Sequence, residues 1–398
     1  MDIPLEEPVL TRSLHPSLVW LMAITCGLTA ANLYYNQPLL VTIGRSFQVS
    51  DHWASLLATA PQVGYTLGML LLVPLGDRLE RKRLIVGLSL GAVACLILSA
   101  TAPSYGVLLG VSVLLGGCSA VPQLVLPMAV QLTHPAERGR IIGRIMSGLL
   151  LGILLSRTVS GYLGAQLGWR TVYAGAAGVG LVLTGLLSWK LPTNPPAFLG
   201  SYAALMRSLA VLVRELPLLR RSALVGGSIF GAFSVFWTTL VFYLESPAYQ
   251  YGSAVAGSFG LVGALGALVA PLAGTWVDKY GSDKVITFGI GLTLLAYLVL
   301  GCAGSLLAGL IVGVILLDSG VQAAHVANQT LIFSLRPEAR SRLNTVYMTG
   351  YFAGGSVGSV LGGLAWTHGG WTGVCAVGAS CLILALVLHR SLGNQTRI

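Results

Sequence analysis

The sequence predicts an all-α membrane protein: twelve transmembrane helices in two pseudo-symmetric six-helix bundles. Three observations carry this. Charged residues make up 9% of the 398 and hydrophobic ones 55%, with mean hydropathy +0.81, whereas soluble domains carry about 25% charged residues. Apolar runs of about 20 residues recur along the chain, the length a helix needs to cross a bilayer. They are too long for the alternating strands of about 10 residues in a membrane barrel. Finally, the second half of the chain repeats the first.

The predicted spans fall near 18–42, 54–75, 84–102, 106–131, 141–166, 171–190, 220–244, 253–276, 285–303, 306–332, 343–366 and 370–389. The first does not read as a secretory signal. Its run is too long, and Asp2, Glu6 and Glu7 precede it where a signal peptide is basic.

Net charge is +10, but its distribution argues against nucleic acid. Of 23 Lys and Arg, twenty lie in loops and tails on the side of the N-terminus, from Arg12 to Arg397. Arg45 and Arg170 lie on the other side, and Arg157 falls inside a span. Positive residues gather on the cytoplasmic side of membrane proteins. Both termini are therefore expected in the cytoplasm, in a bacterial inner membrane. The six cysteines fall inside spans without metal spacing and read as small hydrophobes. No metal site or cofactor is expected.

The repeat is specific. THPAERGR (133–140) matches LRPEARSR (335–342), and a shift of 202 carries Pro135 to Pro337, Arg138 to Arg340 and Arg140 to Arg342. It also carries Met146 to Met348, Gly148, Gly152 and Gly161 to Gly350, Gly354 and Gly363, and Gly168-Trp169 to Gly370-Trp371. LGDRLERKR (75–83) likewise matches VDKYGSDK (277–284). Two parallel six-span halves, 1–190 and 220–398, are thus joined by a linker at 191–219. Repeated halves with a site between them are a transporter architecture. Within the linker, Tyr202, Leu205, Leu209, Leu212 and Leu216 share one helical face. Such a helix suits the cytoplasmic membrane surface; a loose apolar linker is the alternative.

Gly274-Thr-Trp-Val-Asp278-Lys279-Tyr-Gly281 resembles the signature loop G-x-x-x-D-[RK]-x-G of the major facilitator superfamily. Asp77-Arg78 with Arg81-Lys82 resembles its N-half copy, although Val73 and Glu80 stand where that copy has glycines. The resemblance spans the chain and implies the major facilitator fold. It implies a cytoplasmic latch in the outward-facing state at Asp77, Arg78, Arg81, Asp278, Lys279 and Gly281, with Arg138 and Arg340 beside it. A charge network at a helix end can make and break during a conformational switch; exposed pairs of little consequence are the alternative. The chain also resembles the drug:proton antiporter and sugar efflux branch, with departures. Ser112 and Leu115-Gly116 stand where that branch carries an Arg and a Gln-Gly, and SRTVSG (156–161) replaces a Gly-Pro turn.

Small residues recur every fourth position at Gly148, Gly152, Ser156, Ser160 and Gly164, and at Gly350, Gly354, Gly358 and Gly362. Gly64 with Gly68 and Gly266 with Gly274 give weaker versions. Such ladders admit close helix contact. By resemblance, spans two, five, eight and eleven form the contact between halves, and the ladders are expected there.

Well inside the spans, only Arg157 and Asp318 carry formal charge, and intramembrane charge marks function by default. Asp318, Gln322, His325 and Gln329 share a face of span ten, with His325 about 10 Å from Asp318. Asn32, Tyr35 and Asn36 are expected to share a face of span one, with Pro38 kinking its outer end. Gln123, Trp237 and Asn328 complete the candidate set. By resemblance, spans one, four, seven and ten line the cavity, and few polar anchors among aromatic walls suit a small, partly apolar cargo. Asp318 is the expected proton site, His325 a relay and Arg157 a coupling partner; a structural Arg157–Asp318 pair is the alternative.

Nothing resembles a nucleotide-binding P-loop or an HExxH site, so no enzyme is expected. The expectation is a secondary transporter working by alternating access, proton-coupled and exporting. Uptake by symport and a non-transporting receptor of the same fold are the alternatives. Expected partners are a small-molecule substrate, protons and the lipid bilayer, with the chain a monomer.

Overall fold

The computed structural model describes residues 14–134, 137–193, 200–336 and 339–391. Arg12, Arg397, the N-terminal acids and the Pro135–Pro337 match lie outside the described residues.

Twelve crossings are made by helices of unequal regularity. The first is broken: α1 (Pro16–Ala31) gives way to a 3₁₀ turn at Gln37–Leu39 and resumes as α2 (Leu40–Phe47). Pro38 cannot donate to the preceding turn, which disfavours a continuous helix here. The second crossing is α3 (Asp51–Leu71), extended by α4 (Leu75–Arg78), and the third is α5 (Arg81–Ala100). The fourth splits into α6 (Tyr105–Cys118) and α7 (Pro122–Gln131), again at a proline. The fifth and sixth are α8 (Arg138–Leu167) and α9 (Trp169–Lys190).

A short helix, α10 (Tyr202–Glu215), separates the halves. The second half runs through α11 (Pro217–Glu245), the split pair α12 (Ser253–Ala267) and α13 (Val269–Tyr280), then α14 (Ser282–Ala303) and α15 (Leu307–Leu335). The last helical run, α16 (Arg340–Ser391), reverses at Gly370, where φ is +53° and ψ −147°, and so supplies two crossings. Gly168, its counterpart between α8 and α9, also has positive φ, +83°. Both turns need a backbone conformation almost restricted to glycine. Each is followed by a tryptophan whose indole nitrogen is bonded, Trp169 to Ser46 Oγ and Trp371 to the Leu300 carbonyl.

Pairing within the halves obeys the repeat. α1 packs on α8 as α11 packs on α16. The ladder glycines serve these contacts, which corrects the expectation that they join the halves. A Cβ on Gly148 would lie 2.6 Å from the Ala23 carbonyl oxygen, and one on Gly354 2.5 Å from Gly227 Cα. Gly68 and Gly266 likewise face α6 and α15 of their own halves. A four-residue ladder identifies a face for close approach, not the helix that approaches it.

Crossings two, five, eight and eleven still make the interface between halves, through α8–α12 and α3–α16, but with other residues. A Cβ on Gly257 would lie 3.1 Å from Gly161 Cα. Thr158 donates to the Gly257 carbonyl at 3.0 Å, and Thr59 to Ser359 at 2.7 Å.

The two ends of the molecule differ. One carries Arg81, Arg138, Arg221, Arg336 and Arg340 and is called here the basic end. There Arg221, 3% exposed, joins three helices. It donates to Asp283 at 2.5 Å and to His389 Nδ1 at 2.7 Å, and His389 Nε2 donates to the Asp283 carbonyl.

α10 also sits at the basic end, and its placement corrects the membrane-surface expectation. Leu205, Leu209 and Leu212 are buried in the protein. Leu212 belongs to an apolar cluster with Leu33 and Met69 of the first half and Leu219, Leu343 and Met348 of the second. Tyr202 donates to the Leu71 carbonyl at 3.0 Å. The apolar stripe covers protein rather than lipid because two half-bundles offer it a groove between them.

Candidate functional site

The charged centre lies where the halves meet. Arg157 of α8 is 2% exposed, and its Nε donates to Gln37 Oε1 at 2.7 Å. Its guanidinium carbon lies 4.0 Å from the Trp237 ring centroid, 4.6 Å from Tyr34 and 5.9 Å from Phe233. Desolvated cation–π contacts of this kind contribute up to about 2 kcal/mol. That offsets part of the several kcal/mol it costs to bury an ion.

Asp318, 6% exposed, faces the same place from α15. Two glycines of α12 make room for it. A Cβ on Gly266 would lie 2.5 Å from Asp318 Cβ, and one on Gly263 would lie 3.3 Å from Asp318 Oδ1 and 3.2 Å from Trp237 Cζ2. Arg157 and Asp318 form no ion pair among the described residues. The permanent-pair alternative is therefore not what this structure holds. Arg157 Nη2 and Asp318 Oδ2 are buried without a hydrogen-bond partner among the described residues, while Trp237 Nε1 approaches the Asp318 carboxyl. Orphaned buried polar atoms are costly, and two of them, on oppositely charged side chains beside Trp237, make this the candidate site.

The first crossing contributes differently than its sequence suggests. Tyr34 and Gln37 face Arg157, whereas Tyr35 packs into the apolar core and Asn36 Nδ2 donates to the Leu57 carbonyl at 2.5 Å. Asn32 donates to Ser119 at 3.1 Å, joining the first and fourth crossings. The helix-to-3₁₀ break rotates the chain, so the face predicted on an unbroken helix is not the one presented.

The remaining candidates sit nearer the basic end. His325 Nδ1 is 3.1 Å from the Tyr347 hydroxyl, and its ring lies 4.6 Å from Tyr351. Tyr351 stacks on Phe230 at 4.2 Å, Phe230 on Phe233 at 5.3 Å, and Phe233 meets Trp237 at 6.0 Å. An aromatic column thus runs from His325 to Trp237 and Arg157. Gln123 donates to Tyr65 at 3.2 Å and accepts from Asn344 at 3.3 Å, and Gln329 donates to Asn344 at 3.4 Å. That chain ties the halves together. Among the described residues, Asn328 donates only to its own helix, at the Ala324 carbonyl. Gln322 is half-buried and makes no hydrogen bond among the described residues. Sequence reading missed Tyr34, Gln37, Gln62 and Asn344. Gln62 accepts from Ser234 across the halves at 3.3 Å, and its position in an apolar span was the available signal.

At the expected latch, Arg81 pairs with Asp77 at 2.8 Å and donates to the Gly76 carbonyl at 3.0 Å. Gly281 turns the chain with φ +84°, while Glu80 at the matching position has φ −61°. The rest of the latch differs from expectation. Asp278 and Arg78 make no hydrogen bond or ion pair among the described residues, and Lys279 lies 5.1 Å over the Tyr280 ring. Arg138 and Arg340 instead donate to the Thr133 and Phe333 carbonyls, at 3.2 Å each. The Phe333 carbonyl is one of the unpaired carbonyls in the last turn of α15, and Thr133 lies just past the end of α7.

Opposite the basic end, Arg45 pairs with Glu245 at 2.9 Å and Trp366 donates to Asp51 at 3.2 Å, both across the halves. Two G-x-S-x-G strings, at 87–91 and 354–358, escape the sequence reading above. Both lie inside continuous helix, not on the strand-to-helix turn that exposes a nucleophilic serine.

A family model described as Major Facilitator Superfamily matches residues 22–317 and 223–394. The chain is 43% identical to "Uncharacterized transporter YgaY" of Escherichia coli O157:H7 over 96% of its length and 98% of that protein. It is 36% identical to "Probable transporter SCO4007" of Streptomyces coelicolor (strain ATCC BAA-471 / A3(2) / M145), over 92% and 85%. Among solved structures, it superposes with TM-score 0.73 at 13% identity on a bacterial homologue of the human lysosomal transporter Spinster, in an inward-facing, unoccupied conformation. That likeness covers 96% of each chain. With repeat, fold and relatives in agreement, this chain belongs to the Major Facilitator Superfamily and is a membrane transporter.

Proposed function

We propose that the protein is a proton-coupled exporter of a small, partly apolar solute, working by alternating access. The observation that carries this reading is the pair of buried polar atoms, Arg157 Nη2 and Asp318 Oδ2, without a hydrogen-bond partner among the described residues, on helices of opposite halves. Asp318 is the proton site. A single carboxylate that holds either a proton or a polar group of the cargo makes the two compete, and competition at one site yields exchange. Arg157 reads the charge of Asp318 from beyond ion-pair distance, and rocking of the halves changes that separation. His325 and the aromatic column form the path wall toward the basic end.

The basic end faces the cytoplasm, with both termini there, in a bacterial inner membrane. The halves are 1–190 and 220–398, and α10 of the linker 191–219 closes the cytoplasmic end. The Asp77–Arg81 pair is the half of the latch made in this state; Asp278 joins it in another. The working unit is a monomer.

The test is proton flux in everted vesicles, acidic inside, challenged with a chemically broad panel of solutes. The expected outcome is solute-triggered alkalinisation of the lumen in wild type and none in Asp318→Asn or empty vesicles. Unchanged flux in a folded Asp318→Asn protein refutes the proton site. Flux that acidifies rather than alkalinises the lumen reverses the direction.

A further inference from the structure

A second polar site lies at the basic end, away from the centre. A pocket of about 320 Å³ opens between α10 and the junction of α15 with α16. Three arginines line it, each from a different segment: Arg207 on α10, Arg336 just after α15, and Arg342 in the first turn of α16. Arg336 is neutralised by Glu215, at 2.7 Å. Arg207 and Arg342 have no ion pair or hydrogen bond among the described residues. Ala204, Val211, Leu212 and Ala339 form the apolar floor and sides.

This differs from an ordinary basic surface. Scattered exposed arginines are solvated singly and define no cavity. Here two arginines without an ion pair among the described residues line a concavity of about 320 Å³, at the low end of the roughly 300–1,000 Å³ range of small-molecule sites. Guanidinium groups bind phosphoryl oxygens in charge-assisted, often bidentate hydrogen bonds.

We infer that this pocket is a binding site for a phosphoryl-bearing anion, held by Arg207 and Arg342 with Arg336 at its edge. The same anion bridges α10 to the second half. α10 closes the basic end, with Tyr202 bonded to the first half and Leu212 in the cluster that spans both halves. A bound anion therefore holds α10 docked and favours the closed arrangement of that end. The chemistry is shared by a soluble phosphate compound and by a phospholipid headgroup, and the experiment separates them.

The full-length protein is purified in a neutral detergent, and its melting temperature is followed with pyrophosphate at constant ionic strength. A parallel series uses nanodiscs of phosphatidylcholine with increasing phosphatidylglycerol. The variants are Arg207→Ala/Arg342→Ala and, as an equal-charge control at the same end, Lys82→Ala/Arg83→Ala. A saturable rise with pyrophosphate, lost in Arg207→Ala/Arg342→Ala and kept in the control, supports a soluble ligand. A rise only with phosphatidylglycerol, with the same dependence on variants, supports a lipid headgroup. No rise in either series, or a rise of equal size in all variants, overturns the site. Direct binding of radiolabelled pyrophosphate to wild type and variants gives a readout independent of stability.

Discussion

Replacing Gly354 by alanine tests the inference that the ladders hold each half together. The added methyl would meet backbone, 2.5 Å from Gly227 Cα and within van der Waals overlap of the Gly227 carbonyl. Neither atom belongs to a side chain that can rotate away, so α11 and α16 must separate. Overpacking of this kind costs about 1–3 kcal/mol. Against it stands a gain of about 1 kcal/mol, because alanine is the better helix former. Gly354→Ala should therefore lower stability by up to about 2 kcal/mol. Gly291→Ala supplies the contrast. Gly291 is inside α14, is exposed, and has nothing within 4 Å of a new Cβ. The identical substitution there should be neutral or stabilising by up to about 1 kcal/mol. Thermal unfolding of the two variants in one detergent reads the difference directly. Equal melting temperatures would refute the claim that backbone contact at the ladder limits how closely these helices pack.

Other outcomes follow from the site and the turns. Arg157→Lys keeps the charge but loses the flat surface between Tyr34 and Trp237 and the bond to Gln37; losing about 1–2 kcal/mol of stacking should reduce solute-driven proton flux about tenfold in protein that still folds. Gly370→Ala meets no atom within 4 Å, so its cost is purely conformational, about 1–3 kcal/mol, read as a lower melting temperature; an unshifted value would contradict the turn geometry. Glu245→Gln removes the pair with Arg45, whose side chain is 72% exposed. Such a pair is worth at most about 1 kcal/mol, so labelling of a cysteine at Ser359 by an impermeant maleimide should rise fivefold or less.

The comparison of sequence with structure divides along a physical line. Arg157 and Asp318 stood out in the sequence as candidate site residues because charge in an apolar span is costly wherever the helix points. Their neighbours were less so. Tyr34 and Gln37 share the stretch NLYYNQP with Tyr35 and Asn36, and only the 3₁₀ break decides which pair meets Arg157. α10 illustrates the same limit, since an apolar stripe specifies that a face is covered and not whether lipid or protein covers it. Arg138 and Arg340, expected beside the latch, donate to the Thr133 and Phe333 carbonyls, partners that only the folded chain locates.

By itself the sequence determined the crossings, the duplication and the charged centre, because hydrophobic length, self-similarity and the expense of buried charge are properties of a segment. Tertiary structure alone decided which helices the glycines join, that Arg157 stacks on Trp237 instead of pairing with Asp318, and that α10 packs against both halves at the basic end. Those depend on surfaces contributed by residues far apart in the chain, and on a one-turn irregularity that rotates a face without altering its composition.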